Sequence, residues 1–428
     1  MDNRQIMQQS LDYIEDNLLA ELTASELAAQ AGFSLFHYYR LFQAATGMPV
    51  MQYILRRRLL HGIYAVGQGA SKTSAALAVG FDTYAGFYRA FRREFGCSPS
   101  DYLKSGRAKR PYRINLLKEE HFAVTHKKAV QMLKYWNLED QPINDIYQQG
   151  TGAKIETGCY VGDSYVLKYS VNPGRLKKHI EVSKAIEAVG LLAAVPIPTA
   201  DGREVVQDGQ LYFCVTRRLP GQQLMPESFY HRDADRKAQF VGEIIGQLHL
   251  ALGKVEDCVN EADLLDTVKN WALPAAKTSL GLSDTFCEEF IAMFDSLYPK
   301  LPRQIIHRDP SPANIICSQQ QWGFIDFELT ERNARIYDPC YAATALLSES
   351  FGRADDQWLQ IYHNILRGYD QVVHLTEIER RAAPYILLAN QLVCVAWFAQ
   401  QEKHQELFET NKQMTLWLLQ HFEQLRMF

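Results

Sequence analysis

Residues 28–53 read AAQAGFSLFHYYRLFQAATGMPVMQY, and residues 76–102 read ALAVGFDTYAGFYRAFRREFGCSPSDY. Gly32/Gly80 and Phe33/Phe81 lie 48 positions apart, whereas Phe42/Phe91, Gly47/Gly96 and Tyr53/Tyr102 lie 49 apart. The N-terminal quarter is thus one supersecondary unit written twice, with one inserted residue, and each copy must bury its apolar face against its own partner helices. Each copy has a short Ala/Leu-rich helix, a Gly turn, an N-cap (Ser34 and Asp82) and a second helix rich in aromatics and Arg. Glycine supplies the positive φ that a tight helix-turn-helix corner needs. Thr23 followed by Glu26 predicts a capping box at the start of the first unit.

The two units, joined by a helix around I-L-R-R-R-L-L-H, resemble the paired helix-turn-helix DNA-binding domain of the AraC/XylS family of bacterial transcription regulators over roughly residues 5–107. The most distinctive stretch is G-F-D-x-x-x-x-F-Y-R-x-F-R-R-E-F-G-C-S-P. The resemblance implies double-stranded DNA as partner, with the second helix of each unit in the major groove. Phe36, Tyr39 and Arg40 would then face bases from the first copy, and Tyr84, Ala85 and Arg89 from the second. Arg can pair with guanine and aromatics with thymine methyls, while Arg57, Arg92 and Arg93 are placed to reach phosphates. Phe42, Phe87 and Phe91 are expected in the core. Two units in tandem let one chain span two successive groove faces without dimerising. Residues 1–110 hold 13 Lys/Arg against 9 Asp/Glu within a chain of net charge −4, a distribution compatible with a polyanion partner.

The second feature is I-I-H-R-D-P-S-P-A-N-I-I at 305–316, followed by G-F-I-D-F-E at 323–328. Asp309, Asn314 five residues on, and Asp326 twelve residues after that reproduce a phosphoryl-transfer spacing: a base for the acceptor hydroxyl, then two oxygen ligands for a metal. Upstream, Y-V-L-K-Y puts Lys168 on a strand and K-K-H-I-E puts Glu181 on the following helix, an arrangement that positions nucleotide phosphates. L-Y-F-C-V-T-R-R-L-P-G reads as a strand leaving through a hinge, and 240–252 as a helix.

Pro-Gly after the hinge strand, I-G-Q-L-H in the helix, I-D-F-E in place of D-F-G, nearby Asp338-Pro339 and no A-P-E resemble the aminoglycoside phosphotransferase and choline kinase superfamily over about 135–428. That resemblance implies Asp309 as catalytic base, Asn314 and Asp326 as metal ligands with Glu328 beside them, Lys168 and Glu181 at the nucleotide, ATP or GTP with Mg²⁺ as cofactors, and a small hydroxylated compound as substrate or ligand. Two positions depart from the family pattern, Ser311 where His is common and Glu328 where a second Asp is common. G-T-G-A-K at 150–154 is the best candidate for a phosphate loop.

The expected architecture is multidomain. It has an all-α tandem helix-turn-helix domain over 1–108, a linker over 109–134 and a two-lobed α+β kinase-like domain over 135–428, with an N-lobe to about 218 and a helical C-lobe beyond. Glu349, Asp355 and Asp356 are candidate acceptor-side acids, and Trp358, Tyr362, Tyr385 and Trp397 are expected in the core. Eight cysteines without ligand spacing, no apolar leader and no long apolar run point to a cytoplasmic chain with no membrane partner. Three functions fit: a regulator with an active small-molecule kinase domain, a regulator whose kinase-like domain only senses a ligand, and a small-molecule kinase with a helical interaction domain.

Overall fold

The computed structural model describes residues 3–426 except 105–107, 109–110, 112, 117–123, 125, 148–153, 231–232, 256–258, 319–320, 353–354 and 401–404. G-T-G-A-K therefore lies, up to Ala153, outside the described residues. The chain forms two compact units, residues 1–172 with 197–215 and residues 173–196 with 216–428.

The first unit starts with α1 (Asn3–Asp16), α2 (Ala24–Gln30), α3 (Leu35–Thr46), α4 (Val50–Gly67), α5 (Lys72–Ala78), α6 (Tyr84–Phe95) and α7 (Pro99–Lys104). The capping box of Thr23 and Glu26 forms. Gly32 and Gly80 take φ of 74° and 83° between the paired short helices, as the turns require. α3 and α6 both end on a left-handed glycine, Gly47 and Gly96. Ser34 caps α3, but α6 is capped by Thr83 and not by Asp82. The residue inserted in the second copy lies in the turn, so the cap role moves one position on and the two helices stay equivalent at an offset of 49.

Two cores serve this tandem. Tyr38 and Phe42 pack with Met7, Leu11, Leu27 and Ile54 under α3, while Phe87 and Phe91 pack with Leu59, Ile63 and Tyr102 under α6. Within the segment expected as linker, Ile114 and Leu116 are buried in the first of these cores. Gln8 clamps that strap by donating to Ile114 O at 3.0 Å and accepting from Leu116 N at 2.6 Å. Next, α8 (His126–Leu133) buries Ala129, Met132 and Leu133 against a β-sheet core of Cys159, Val161, Leu167 and Phe213. That sheet comprises β1 (Ile143–Tyr147), β2 (Lys154–Val161), β3 (Tyr165–Ser170), β5 (Pro196–Ile197), β6 (Val206–Asp208) and β7 (Leu211–Arg217), in the order β1-β2-β3-β7-β5 with β6 also on β7.

The second unit opens with α9 (Pro173–Ala188) and β4 (Leu192–Ala193), then runs from β8 (Gln222–Gln223) through α10 (Ala234–Leu252), α11 (Leu264–Thr267), α12 (Leu273–Leu280) and α13 (Asp284–Leu297). β9 (Arg303–Ile306), β10 (Ile315–Cys317), β11 (Trp322–Phe324) and β12 (Glu331–Ala334) follow, and α14 (Tyr337–Ser350), α15 (Asp355–Val372), α16 (Glu377–Phe398), α17 (Gln405–Gln420) and α18 (Phe422–Leu425) complete it. Its sheets have the order β4-β11-β10-β8 and β12-β9. α10 and α15 meet backbone to backbone, because a side chain at Gly242 would strike Ile365 and one at Gly368 would strike Gln239. Trp358, Tyr362 and Tyr385 are core residues as expected, but Trp397, near the end of α16, is 43% exposed. Its position in the last turn carries it beyond the packing surface. No described helix is long and apolar enough to cross a membrane.

Candidate functional site

β9 delivers the chain into His307-Arg308-Asp309, and Pro310 and Pro312 bar a regular helix there. A 3₁₀ turn, Pro312–Asn314, leads into β10, which pairs antiparallel with β11 so that Ile315 faces Phe324. The hairpin closes the distance between loop and second acid: Ile325 N–H donates to Asn314 O at 3.0 Å, one residue before Asp326. Asp326 therefore lies two residues beyond the strand and not within it, at φ 70° ahead of the 3₁₀ turn Phe327–Leu329 that carries Glu328. Asn314 donates its amide to both Asp309 O and Asp309 Oδ2 at 3.0 Å.

The loop is held from behind by side chains far away in sequence. Asp338 Oδ2 accepts from His307 N–H at 2.8 Å and Oδ1 from Arg308 N–H at 3.0 Å. His249 Nε2 lies 2.9 Å from the same carboxylate, and Tyr369 OH lies 2.8 Å from His249 Nδ1. This assigns the imidazole proton to Nε2, with the phenol donating to Nδ1. Arg308, at φ 78°, pairs with Glu331 at 2.9 Å and covers the Tyr337 ring at 4.8 Å. A non-glycine residue in the left-handed region costs of order 1 kcal/mol or more, so these contacts hold a conformation the backbone would otherwise leave. His307 donates from Nε2 to Ile325 O at 3.0 Å and accepts from Asp309 N–H at 3.3 Å. Its burial lowers its own basicity and keeps that neutral tautomer. Phe327 is flanked by His307 and by His179 of α9, whose Nδ1 accepts from Phe327 N–H at 3.3 Å.

Burial, with the Asp326 carboxylate second, pushes the Asp309 carboxyl up to about 6, against hydrogen bonds from Ser311, Tyr341 and Asn314. The repulsion between two acids is what a divalent cation relieves. The donor set fits a hard cation. Asp326 and Glu328 offer carboxylates, and Asn314, with its nitrogen turned to Asp309, leaves its amide oxygen. Among the described residues no three His, Cys, Asp or Glu side chains form a ready-made cage. The oxygens here suit Mg²⁺, which keeps water and substrate phosphate in its shell.

The remaining nucleotide-side expectations lie on separate units. Lys168 is on β3, opposite Gly158 of β2. Glu181, two turns into α9, pairs with Lys177 at 3.6 Å. The loop-anchoring residues His249, Asp338, Tyr341 and Glu331 were not read as site residues from the sequence. L-H and D-P were visible as motifs, but their role depends on contacts spanning 30 to 120 positions.

In the helical part, Phe36, Arg40, Ala85, Arg89, Arg92 and Arg93 are exposed, while Tyr39 and Tyr84 are half-buried against the cores. Arg57 is not available to a phosphate. It is 5% exposed and donates from Nη2 to Glu15 at 3.0 Å.

A family model described as phosphotransferase enzyme family matches residues 154–375, just over half of the chain, and a helix-turn-helix domain model matches 27–105. Over 103 residues the chain is 35% identical to YkgA of Escherichia coli (strain K12), a protein named as an HTH-type transcriptional regulator. It is 34% identical over 106 residues to the right origin-binding protein of the same strain, and 31% identical over 105 residues to regulatory protein SoxS of Salmonella typhimurium. Each match covers 24% of this chain, and 43%, 37% and 96% of those relatives. The fold of the remainder is similar to amicoumacin kinase hAmiN in complex with AMP-PNP, Ca2+ and Ami, with TM-score 0.51 and 13% identity over 67% of this chain and 91% of that one. A microcompartment-associated aminopropanol kinase gives TM-score 0.52 and 14% identity over 69% and 97%. The chain therefore belongs to the phosphotransferase enzyme family, with an AraC-type helix-turn-helix domain ahead of the phosphotransferase region.

Proposed function

We propose that the protein is a sequence-specific DNA-binding transcription regulator whose C-terminal region transfers the γ-phosphoryl group of ATP to a hydroxyl of a small molecule. The observation that carries this reading is Asp309, held by Asn314 at 3.0 Å beside a second acid, on a loop anchored by Asp338. A pure ligand sensor has no chemical need of a poised base. By this reading DNA binding falls to 1–108, a connector to 109–134, whose Ile114 and Leu116 pack into the first helical core, and phosphotransfer to 135–428. Action on DNA places the protein in the cytoplasm.

A magnesium–nucleotide complex, when bound, would supply the electrophilic phosphoryl group and the charge neutralisation that its transfer needs. Asp309 orients the acceptor hydroxyl and takes its proton at a carboxylate oxygen. Asn314 holds that carboxylate through its amide N–H, and its oxygen, with the carboxylates of Asp326 and Glu328, would hold the metal. Lys168 and Glu181 are the two residues this reading assigns to the nucleotide. On the DNA side, Phe36, Tyr39, Arg40, Tyr84, Ala85 and Arg89 face base edges, and Arg92 and Arg93 meet phosphates.

Asp309→Asn is expected to lower acceptor-dependent ADP release by a factor of about 10² to 10⁴ with nucleotide affinity largely kept. A thermal-shift screen of hydroxylated amines, sugars and nucleosides with Mg-ATP identifies the acceptor for that assay. An unchanged rate in the variant removes Asp309 as base. Ligand-induced stabilisation without any ADP release from the wild type favours the sensor reading.

A further inference from the structure

We propose that the two groove-facing helices read chemically different DNA: α3 a thymine-rich segment, chiefly through Leu35 and Phe36, and α6 guanine edges and phosphates through Arg89, Arg92 and Arg93. This inference rests on the DNA-binding reading and refines it.

The helices are superposable frames. Each has 12 residues, a hydroxyl N-cap and a left-handed glycine C-cap. Their buried faces match at an offset of 49, with Tyr38 and Phe42 answering Phe87 and Phe91. Differences on the opposite faces are thus differences in what each helix offers a partner. At the first two positions α3 shows Leu35, 41% exposed, and Phe36, 73% exposed. The equivalents on α6 are Tyr84, stacked on Phe87 at 6.0 Å, and Ala85. At the third-turn positions the contrast reverses, because Gln43 and Ala44 answer Arg92 and Arg93. Arg40 and Arg89 are common to both. The outer face of α3 therefore carries one arginine and two large apolar groups, and that of α6 three arginines and no large exposed apolar group.

Neither Leu35 nor Phe36 serves the core, and an exposed phenyl ring next to an arginine suits a surface that is part apolar and part anionic. In the major groove the C5-methyl of thymine is the apolar group, and Arg pairs bidentately with guanine O6 and N7. The cationic face of the sister helix supplies the charge complementarity that selects duplex DNA over an apolar protein partner.

The test uses the full chain and duplexes selected by it from a random-sequence pool. The half-site read by α3 is the one whose hydroxyl-radical protection disappears in Arg40→Ala. Replacing thymine by uracil removes only the methyl. In the α3 half-site this is expected to weaken binding about three- to fivefold per buried methyl, and in the α6 half-site to leave affinity unchanged. Phe36→Ala should abolish the uracil effect, while Arg92→Ala should lower the slope of log affinity on log salt by about one and leave the uracil effect intact. Equal uracil sensitivity in the two halves, none in either, or full sensitivity retained by Phe36→Ala overturns the asymmetry while DNA binding stands. Failure of any sequence to enrich overturns the DNA-binding reading and this inference with it.

Discussion

Two carboxylates show how the same residue chemistry is driven in opposite directions by its neighbours. Glu15 on α1 is buried, which raises its pKa, but the nearby His61 ring at 3.9 Å, the Arg57 guanidinium that donates to it and the Tyr53 hydroxyl outweigh the burial and hold it at about 2. A depressed carboxyl contributes stability that is complete above its unfolded value near 4.5 and is lost as pH falls toward 2. Protection of α1 and α4 amides, relative to their intrinsic exchange rates at each pH, is therefore expected to fall over that window in the wild type, by an amount on the order of 3 kcal/mol. Glu15→Gln should flatten the dependence and leave Arg57 buried without a counter-charge at every pH. Asp309 has the opposite sign. Its carboxyl is raised to about 6, so the folded state holds the proton more tightly than the unfolded chain and ionising it costs stability between about 4 and 6. The base must be ionised, and because burial, the larger cause, persists when a cation relieves the Asp326 repulsion, acceptor phosphorylation should rise with pH above the ordinary carboxylate range, as a pH–rate profile under saturating nucleotide would show. A limb near 4 would mean that burial does not act on the reacting form.

The elements illustrate how local rules and close packing share the work. Gly turns, hydroxyl caps and the 49-residue offset are local, and they make α3 and α6 equivalent even though one copy carries an extra residue. The α10–α15 contact is not local. Gly242 and Gly246 on α10 and Gly368 on α15 let the backbones touch, and His249, farther along α10, then reaches Tyr369. Gly242→Ala forces the pair apart against Ile365, and we expect a loss of roughly 2–3 kcal/mol in denaturant unfolding. A larger fractional loss of phosphotransfer should accompany it, since His249 and Asp338 set the loop. Unchanged stability would show that the two helices yield without cost.

Across the whole molecule, the chain leaving the helix-turn-helix pair is part of its fold. Ile114 and Leu116 complete the core beneath α3, and Gln8 pins the strap through its amide. Leu116→Ala in the full-length chain should cost about 2–4 kcal/mol in local opening of α1 and α3. Hydrogen exchange should rise there and change little in α6, which rests on a separate core. Equal acceleration in both helices would show that the two cores open as one. The β-sheet residues within 143–170 and 197–215 group with these helices in the same compact unit.

The repeat, its turns, the caps at Thr23 and Ser34, the aromatic core positions and the order of Asp309, Asn314 and Asp326 were legible in the sequence, because each depends on spacing along a helix, turn or hairpin, whereas the second cap fell on Thr83 and not on Asp82. Arg57 read as a phosphate ligand and Trp397 read as core were misjudged for one reason: periodicity does not tell which neighbour covers a face. Tertiary structure alone decided that Glu15 claims Arg57, that Asp338 and His249 brace the loop carrying Asp309, and that the strap at 113–116 belongs to the first helix-turn-helix. Those contacts join residues 30 to 120 positions apart, and their strength comes from burial and charge pairing, which exist only once the chain has closed around them.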